Sequence, residues 1–457
     1  MDNVALSKLE QKTAVSLALV FGLRMLGLFM IMPVFAIYGR DLIGYSPLWV
    51  GIVIGAYGLT QAILQIPMGQ LSDRIGRKPV IIAGLGLFCL GCIVAGLADS
   101  VYGVAFGRVL QGTGAVASAI LALAADITRE QQRPKVMAVI GMCIGLSFAF
   151  SLVAGPVLAQ WIGLKGIFFV TAVLAIIGIL VVHFIVPNAI SKAPAGDAST
   201  NRDKLRAMLR DPQLLRLDAG IFLLHLTLTA VFVSLPFELE SAGLVGEHHW
   251  WIYFPALLLS FVFMVPMLII AANKKMNKQF FLFAIALMGL ALCIMGFANG
   301  NLWLFALAIL LYFTAFNFLE ASLPAMISMS APAGAKGSAM GIYSTSQFAG
   351  AFCGGIIAGS LYSQLGSQGL FFIIAAVMIV WFVISLGLEN VGQVKAHTIS
   401  VTIANQREAE LIAEKLISLS GINEAVVVLE EQVAYLKATK DFEIDQALNL
   451  VREQHRS

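Results

Sequence analysis

Charge is what this sequence has least of. Only 12% of its 457 residues are Asp, Glu, Lys or Arg, against 59% hydrophobic residues. A soluble globular chain carries about 25% charged and 45–50% apolar residues. The deficit argues against an ordinary water-soluble fold and for lipid as the solvent, and the mean hydropathy of +0.88 agrees. A net charge of +3 is too small to indicate a nucleic acid as partner. Cysteine is scarce too: Cys89, Cys92, Cys143, Cys293 and Cys353 all lie in apolar runs, which speaks against a disulfide framework. The Cys89-x-x-Cys92 pair has the spacing of a redox or metal motif, but no second ligand pair or nearby histidine follows. It reads as small packing residues. No phosphate-binding loop of the P-loop type occurs, and Ser, His and Asp residues are scattered over different apolar runs. No enzyme activity, cofactor or metal is therefore expected.

Long apolar runs are what the chain has in abundance. A spanning helix needs about 20 mostly apolar residues, and twelve segments qualify: 14–38, 48–72, 79–99, 101–127, 136–162, 166–187, 217–239, 249–272, 279–298, 301–328, 337–363 and 367–388. The first follows Lys8 and Lys12 but is too long for the core of a signal peptide, so it reads as a retained span. With the N-terminus inside, the inner segments before the tail carry 18 Lys and Arg, and the outer loops carry only Arg40 and Lys165. That asymmetry places both termini in the cytoplasm.

The longest inner connection, 188–216, is polar and divides the spans six and six; Asp203–Leu209 can be read as a surface helix or as solvated linker. "GLKGIFFV" at Gly163–Val170 matches "GSQGLFFI" at Gly366–Ile373 at an offset of 203 residues, and each opens the last span of its half. The match indicates duplication and predicts two halves, 1–187 and 217–390, related as parallel repeats. After Asn390 the pattern changes to that of a small soluble domain, 391–457. "TISVTI" alternates as a strand does. Asn405 and Glu408 have capping-box spacing before Leu411, Ile412, Leu416 and Leu419, and Gly421 suits the C-terminal cap. "EAVVVLEEQVAYLKA" reads as two strands joined at Glu430–Gln432, and a last helix begins near Glu443. The expected fold is thus an all-α polytopic bundle of twelve membrane helices with an α+β, ferredoxin-like tail that lacks its fourth strand.

The inner loop between spans two and three, "GQLSDRIGRKP", packs an acid, three basic residues and two glycines into a short gap. Gly69 would let another helix approach closely. Asp73 is placed to face a helix N-terminus, and Arg77 can pair with Asp73 or with Asp126. Contacts of this kind can hold one arrangement of helices and release in another. The loop closely resembles the signature of the major facilitator superfamily. "GRVLQGTGA" at Gly107–Ala115 is similar to the fourth-span signature of its proton-coupled antiporters, and "AGPVLAQWIG" at Ala154–Gly163 resembles, in part, the fifth-span signature of the drug-efflux branch. Ser151, Ala159 and Gln160 stand where that last pattern often has glycine. The whole chain, tail included, resembles the bacterial YajR-type transporters. The resemblance implies a charge relay of Asp73, Arg77 and Asp126, with Arg74, Gly69 and Gly76 in the same gate and Asp73 holding the start of span eleven when the cavity opens outward.

Inside the spans, charged residues are functional candidates by default. Arg24 lies about 15 Å into span one, near the midplane, and reads as a cavity residue that binds substrate or repels cations. Arg108, with Gln111 and Gly112, is assigned to proton coupling by the resemblance. Glu320 is the only carboxylate well inside a late span, and His225 in span seven titrates near neutral pH in its ordinary state. Either can carry the proton. The glycine-rich spans five and eleven, with Gly155 and Pro156, are read as packing surfaces between the halves. Together these readings predict an alternating-access transporter of the bacterial inner membrane that exports a small molecule against proton entry. Its partners are substrate, protons and lipid, and the ligand of the tail is unassigned. The alternatives are a proton-coupled importer of the same fold and a membrane sensor that signals through its tail.

Overall fold

The structure, a computed structural model, describes residues 6–129, 132–187, 208–332, 336–389, 394–429, 432–439 and 442–454. Most of the expected linker, including most of the Asp203–Leu209 segment, lies outside the described residues, as do Asn390 and Glu430.

Among the described residues, ten helices are long and apolar enough to cross a membrane. Each begins and ends for local reasons. Span one (Lys8–Met30 continued by Met32–Tyr38) starts at a capping box in which Ser7 and Glu10 exchange hydrogen bonds. Span two (Pro47–Ile75) is capped by Ser46 with proline at its first position, and span seven (Pro212–Ser241) by Asp211 in the same way. Span three is Arg77–Leu97, span eight Trp250–Asn273, span nine Asn277–Phe297 and span ten Leu302–Ser330. Span four is two helices, Val101–Thr113 and Ala117–Ile127, separated at Gly114–Val116.

Two of the ten are double. Arg133–Leu180 is broken at Gly163 (φ 65°, ψ −178°), and Lys336–Leu386 at Gly366 (φ 67°, ψ −174°). That backbone region is essentially open to glycine alone. Each break turns one long helix into two spans, five with six and eleven with twelve, so the ten become twelve in two sets of six. The matching octets of the sequence begin at these two glycines. A second correspondence appears elsewhere: Lys78 Nζ donates to Val186 O (2.6 Å), closing the end of span six, and Lys278 Nζ donates to Leu386 O (2.8 Å), closing the end of span twelve. Both pairs are offset by 200 residues, so duplication reaches side-chain detail.

Alternating helix directions divide the connections between two faces. One, the charged face, carries the start of span one, the turn at Gly76, the connection after Ile127, the Lys274–Met276 turn and the exit to the tail. The other, the far face, carries the connections near 39–46, 98–100, 163, 242–249, 298–301 and 366. Large apolar side chains such as Trp161, Phe184, Trp303 and Ile379 point outward, as lipid-facing residues do.

The tail is a three-stranded antiparallel sheet of order β1-β3-β2, with β1 at Val394–Ser400, β2 at Ile422–Val428 and β3 at Val433–Thr439. His397 stands opposite Leu436, and Val427 opposite Ala434. Helices Gln406–Ile417 and Ile444–Gln454 cover the sheet with Ala409, Ile412, Leu416, Ala447 and Val451. Asn405 caps the first helix by accepting from Glu408 N (3.0 Å), as its spacing predicts. Leu411, expected among the apolar positions, is exposed; the burial arc runs through Ile412 and Leu416 instead. Among the described residues no fourth strand is present. The sheet meets the bundle where Lys437 Nζ, paired with Glu424 Oε2 at 3.6 Å, donates to Ser330 O at the end of span ten (3.4 Å). Desolvation there lowers the Lys437 ammonium below its ordinary range.

Candidate functional site

At the charged face the chain breaks between spans two and three at Gly76, whose φ of 102° and ψ of 151° suit glycine. The break brings Arg77 back over the end of span two. Arg77 pairs with Asp73 and, through Nε, with Asp126 Oδ2 (3.1 Å), and Nη1 donates to Ser72 Oγ (2.8 Å). The Asp126 side chain is enclosed and that of Arg77 largely so, whereas the Asp73 side chain remains partly exposed. Gly69 lies against Ser118 of span four, where a methyl group would come within 3.1 Å of the hydroxyl. Arg74 is exposed. The sequence grouping of Asp73, Arg77 and Asp126 is therefore one cluster in space, and Arg77 is its centre.

Arg24 and Arg108 are both buried in the first half, on either side of Tyr57. Arg108 is bound on three sides: Nε to Val53 O (3.2 Å), Nη2 to Ile54 O (3.3 Å) and Nη1 to Gln111 Oε1 (2.9 Å). It ties span four to span two. Arg24 Nη2 donates to Tyr57 Oη (2.5 Å) and to Gly114 O (3.1 Å), a carbonyl at the break of span four that also accepts from Val116 N (2.9 Å). Its Nε and Nη1 have no hydrogen-bond partner and lie between the Tyr57 and Phe88 rings, each 5.8 Å from the guanidinium carbon. Gly112 faces Tyr57 O, where a methyl group would stand 2.4 Å away, so this signature glycine permits the close approach of spans two and four.

In the second half, Gln347 of span eleven joins two expected residues. Its side-chain amide lies 2.9 Å from His225 Nε2 and 3.2 Å from Glu320 Oε1, and His225 Nδ1 is 3.9 Å from Glu320 Oε2. Gln347 was not singled out from sequence, because a lone glutamine in an apolar run carries no partner information. Glu320 lies ten residues from the charged-face end of span ten, about 15 Å in. Its side chain nonetheless keeps 36% of its surface accessible.

The halves meet tightly toward the far face. A methyl group on Gly51 would sit 1.9 Å from Gly355 O, one on Gly58 2.6 Å from Phe348 O, and one on Gly359 2.7 Å from Pro47 O. Towards the charged face the same pair of spans loosens, and a methyl group on Gly341 would meet Ile66 only at 3.6 Å. Arg40 Nη2 bridges to Glu240 Oε2 (2.6 Å) across the far face, with its guanidinium 5.5 Å from the Phe237 ring centre. At mid-depth Phe148 of span five lies 6.1 Å from Phe313 and 6.3 Å from Phe316 of span ten, ring to ring, and Phe316 is 6.0 Å from His225.

One expectation needs correcting. Gly155 does not lie between the halves: a methyl group there would meet Met30 O of span one at 2.7 Å, within its own half. Pro156 follows it inside the same helix. Span eleven does lie between the halves, but its partner is the glycine row of span two, which sequence reading passed over.

A family model described as Major Facilitator Superfamily matches residues 17–276 and 256–400. The inner membrane transport protein YajR of Escherichia coli strain K12 is 40% identical over 98% of this chain and 99% of its own length. The class B tetracycline resistance protein of Escherichia coli is 32% identical over 35% of this chain and 40% of its own length. Among solved structures, a bacterial homologue of the human lysosomal transporter Spinster, in an inward-facing and occupied conformation, superposes with a TM-score of 0.67 at 12% identity, covering 84% of this chain and 97% of that one. That likeness concerns the fold.

Proposed function

This chain belongs to the major facilitator superfamily of membrane transporters, and from that premise we propose that it is a proton-coupled exporter of small molecules working by alternating access. The charged face is read as the cytoplasmic one, which the distribution of 18 inner and two outer basic residues supports. The arrangement described here is then the inward-facing state. Residues 1–187 and 217–390 are the two moving halves, and the Asp73–Arg77–Asp126 cluster is the cytoplasmic lock. Its Asp73 arm is turned back onto Arg77 while the cytoplasmic side is open.

The observation that carries the reading is the Glu320–Gln347–His225 group: a partly accessible carboxylate deep in the bundle, hydrogen-bonded to an amide shared with a histidine. Such a group can take a proton on one side and release it on the other as access alternates. Arg108, fully bound by backbone carbonyls and Gln111, acts as a brace. Arg24, with two free guanidinium nitrogens, faces the substrate. Export rather than import is supported by the partial fifth-span pattern and by likeness to the tetracycline resistance protein.

The test is flux in proteoliposomes under an imposed pH gradient, with compounds first selected by thermal shift on the purified protein. An exporter moves substrate opposite to the proton; movement of both in one direction selects the importer. The sensor reading draws on the contact of Lys437 with Ser330. Removing residues 391–457 tests it, since a transporter retains flux without them.

A further inference from the structure

Asp218 was not singled out from sequence and belongs to no motif, yet it is 7% exposed in span seven and its Oδ1 has no hydrogen-bond partner. His225 follows it by seven residues, so both project from one face of the helix. Tyr343 and Gln347 of span eleven are likewise one turn apart on one face. Counted from the charged-face ends of their helices at the usual rise, Asp218 is about 9 Å in, Tyr343 about 10 Å, Glu320 about 15 Å, Gln347 about 16 Å and His225 about 20 Å. Five polar groups thus form a ladder of depths from the charged face to mid-depth. Tyr343 interacts electrostatically with both Asp218 and Glu320. Three atoms along the ladder, Asp218 Oδ1, Tyr343 Oη and Glu320 Oε2, are buried without partners. Buried polar atoms left unmatched are costly, and a row of them is the setting for water that bridges between groups.

We infer that Asp218 is the cytoplasmic exit of the proton site, receiving through the Tyr343 hydroxyl and bridging water the proton that Glu320 releases. The inference rests on the reading of Glu320 as the protonated carrier. In the step, the Glu320 carboxyl loses its proton and becomes a carboxylate. Tyr343 accepts a proton on oxygen from the bridging water as it gives up its own, and the Asp218 carboxylate becomes a carboxyl. Asp218 then loses that proton to bulk water at the charged face. Of the titratable groups on other helices, Glu320 of span ten interacts with Tyr343 of span eleven, and Tyr343 with Asp218. On its own helix stand Arg216, whose guanidinium packs on Gly387, and Asp211 at the cap, which interacts with Lys437. From span twelve the Trp381 indole comes close to Gly220, two residues along span seven. Among the described residues no ion pair holds Asp218, so it is free to change charge.

The experiment is time-resolved infrared spectroscopy after a pH jump on the full chain in lipid nanodiscs, following the protonated carboxyl band, and it needs no substrate. Glu320→Gln identifies the Glu320 component by removing it. In Asp218→Asn that component is expected to keep its amplitude and decay at least tenfold more slowly, with a smaller slowing in Tyr343→Phe and recovery in Asp218→Glu. An unchanged decay in Asp218→Asn, with a thermal melt showing intact fold, overturns the exit role and leaves Glu320 as carrier. A spectrum in which Glu320→Gln removes nothing overturns the carrier reading itself, and the exit role with it.

Discussion

The two halves share a frame and differ in charge. Each has a glycine elbow at its far-face turn and a lysine that closes its last span at the charged face. Inside, however, the first half holds two buried arginines around Tyr57. The second holds two carboxyls and a histidine around Gln347 and Tyr343. Duplication preserved what fixes helices in place, namely backbone conformation and end closure. It did not preserve what lies in the interior. The difference teaches that the halves differ in electrostatics, one built around fixed positive charge and one around groups of the kind that can exchange protons.

The largest test of that contrast is Glu320→Gln. It is expected to lower pH-gradient-driven flux at least 100-fold in proteoliposomes and to leave the melting temperature nearly unchanged, because Gln347 can still bond the amide. Arg24→Met is expected to leave proton release intact while weakening substrate retention about tenfold. It also strands Tyr57 Oη, and a loss of that kind costs about 1–3 kcal/mol, which a lower melting temperature would reveal. If Arg24→Met removed proton release instead, the division of labour between the halves would be wrong.

A subtler test separates the frame from the interior. In Gly355→Val the new Cβ falls 2.2 Å from Gly51 O. The far face is expected to open, lengthening the distance between spin labels at Asp41 and Glu247. The smallest effect should come from Lys78→Met and Lys278→Met. A cation at a helix C-terminus contributes about 0.3–1 kcal/mol, and equal small losses of stability from both would confirm that the frame is symmetric.

Much of this architecture was legible in the sequence because membrane insertion writes it locally. Runs of about 20 apolar residues mark spans, and the tail helix begins where Asn405 and Glu408 place it. The Asp73–Arg77–Asp126 cluster was legible for the same reason: Asp73 and Arg77 are four residues apart across the Gly76 break, with Asp126 at the end of span four. What escaped reading was pairing across long separations. Gln347 becomes meaningful only beside His225 and Glu320, and the glycine row of span two only beside span eleven. Arg40 and Glu240, 200 residues apart, meet only in the arrangement that closes the far face. Asp218 left a trace in its seven-residue spacing to His225, but such spacing is common in apolar helices and singles out nothing by itself.

The glycine elbows have a practical consequence. Gly163 and Gly366 replace connecting loops with a single residue each, so neither turn leaves slack for a protease or an inserted tag. Even a side chain as small as alanine would be held there in a conformation it resists, although open space surrounds both positions. Labels and epitopes for tracking the far side of the molecule therefore belong on the longer connection between spans seven and eight.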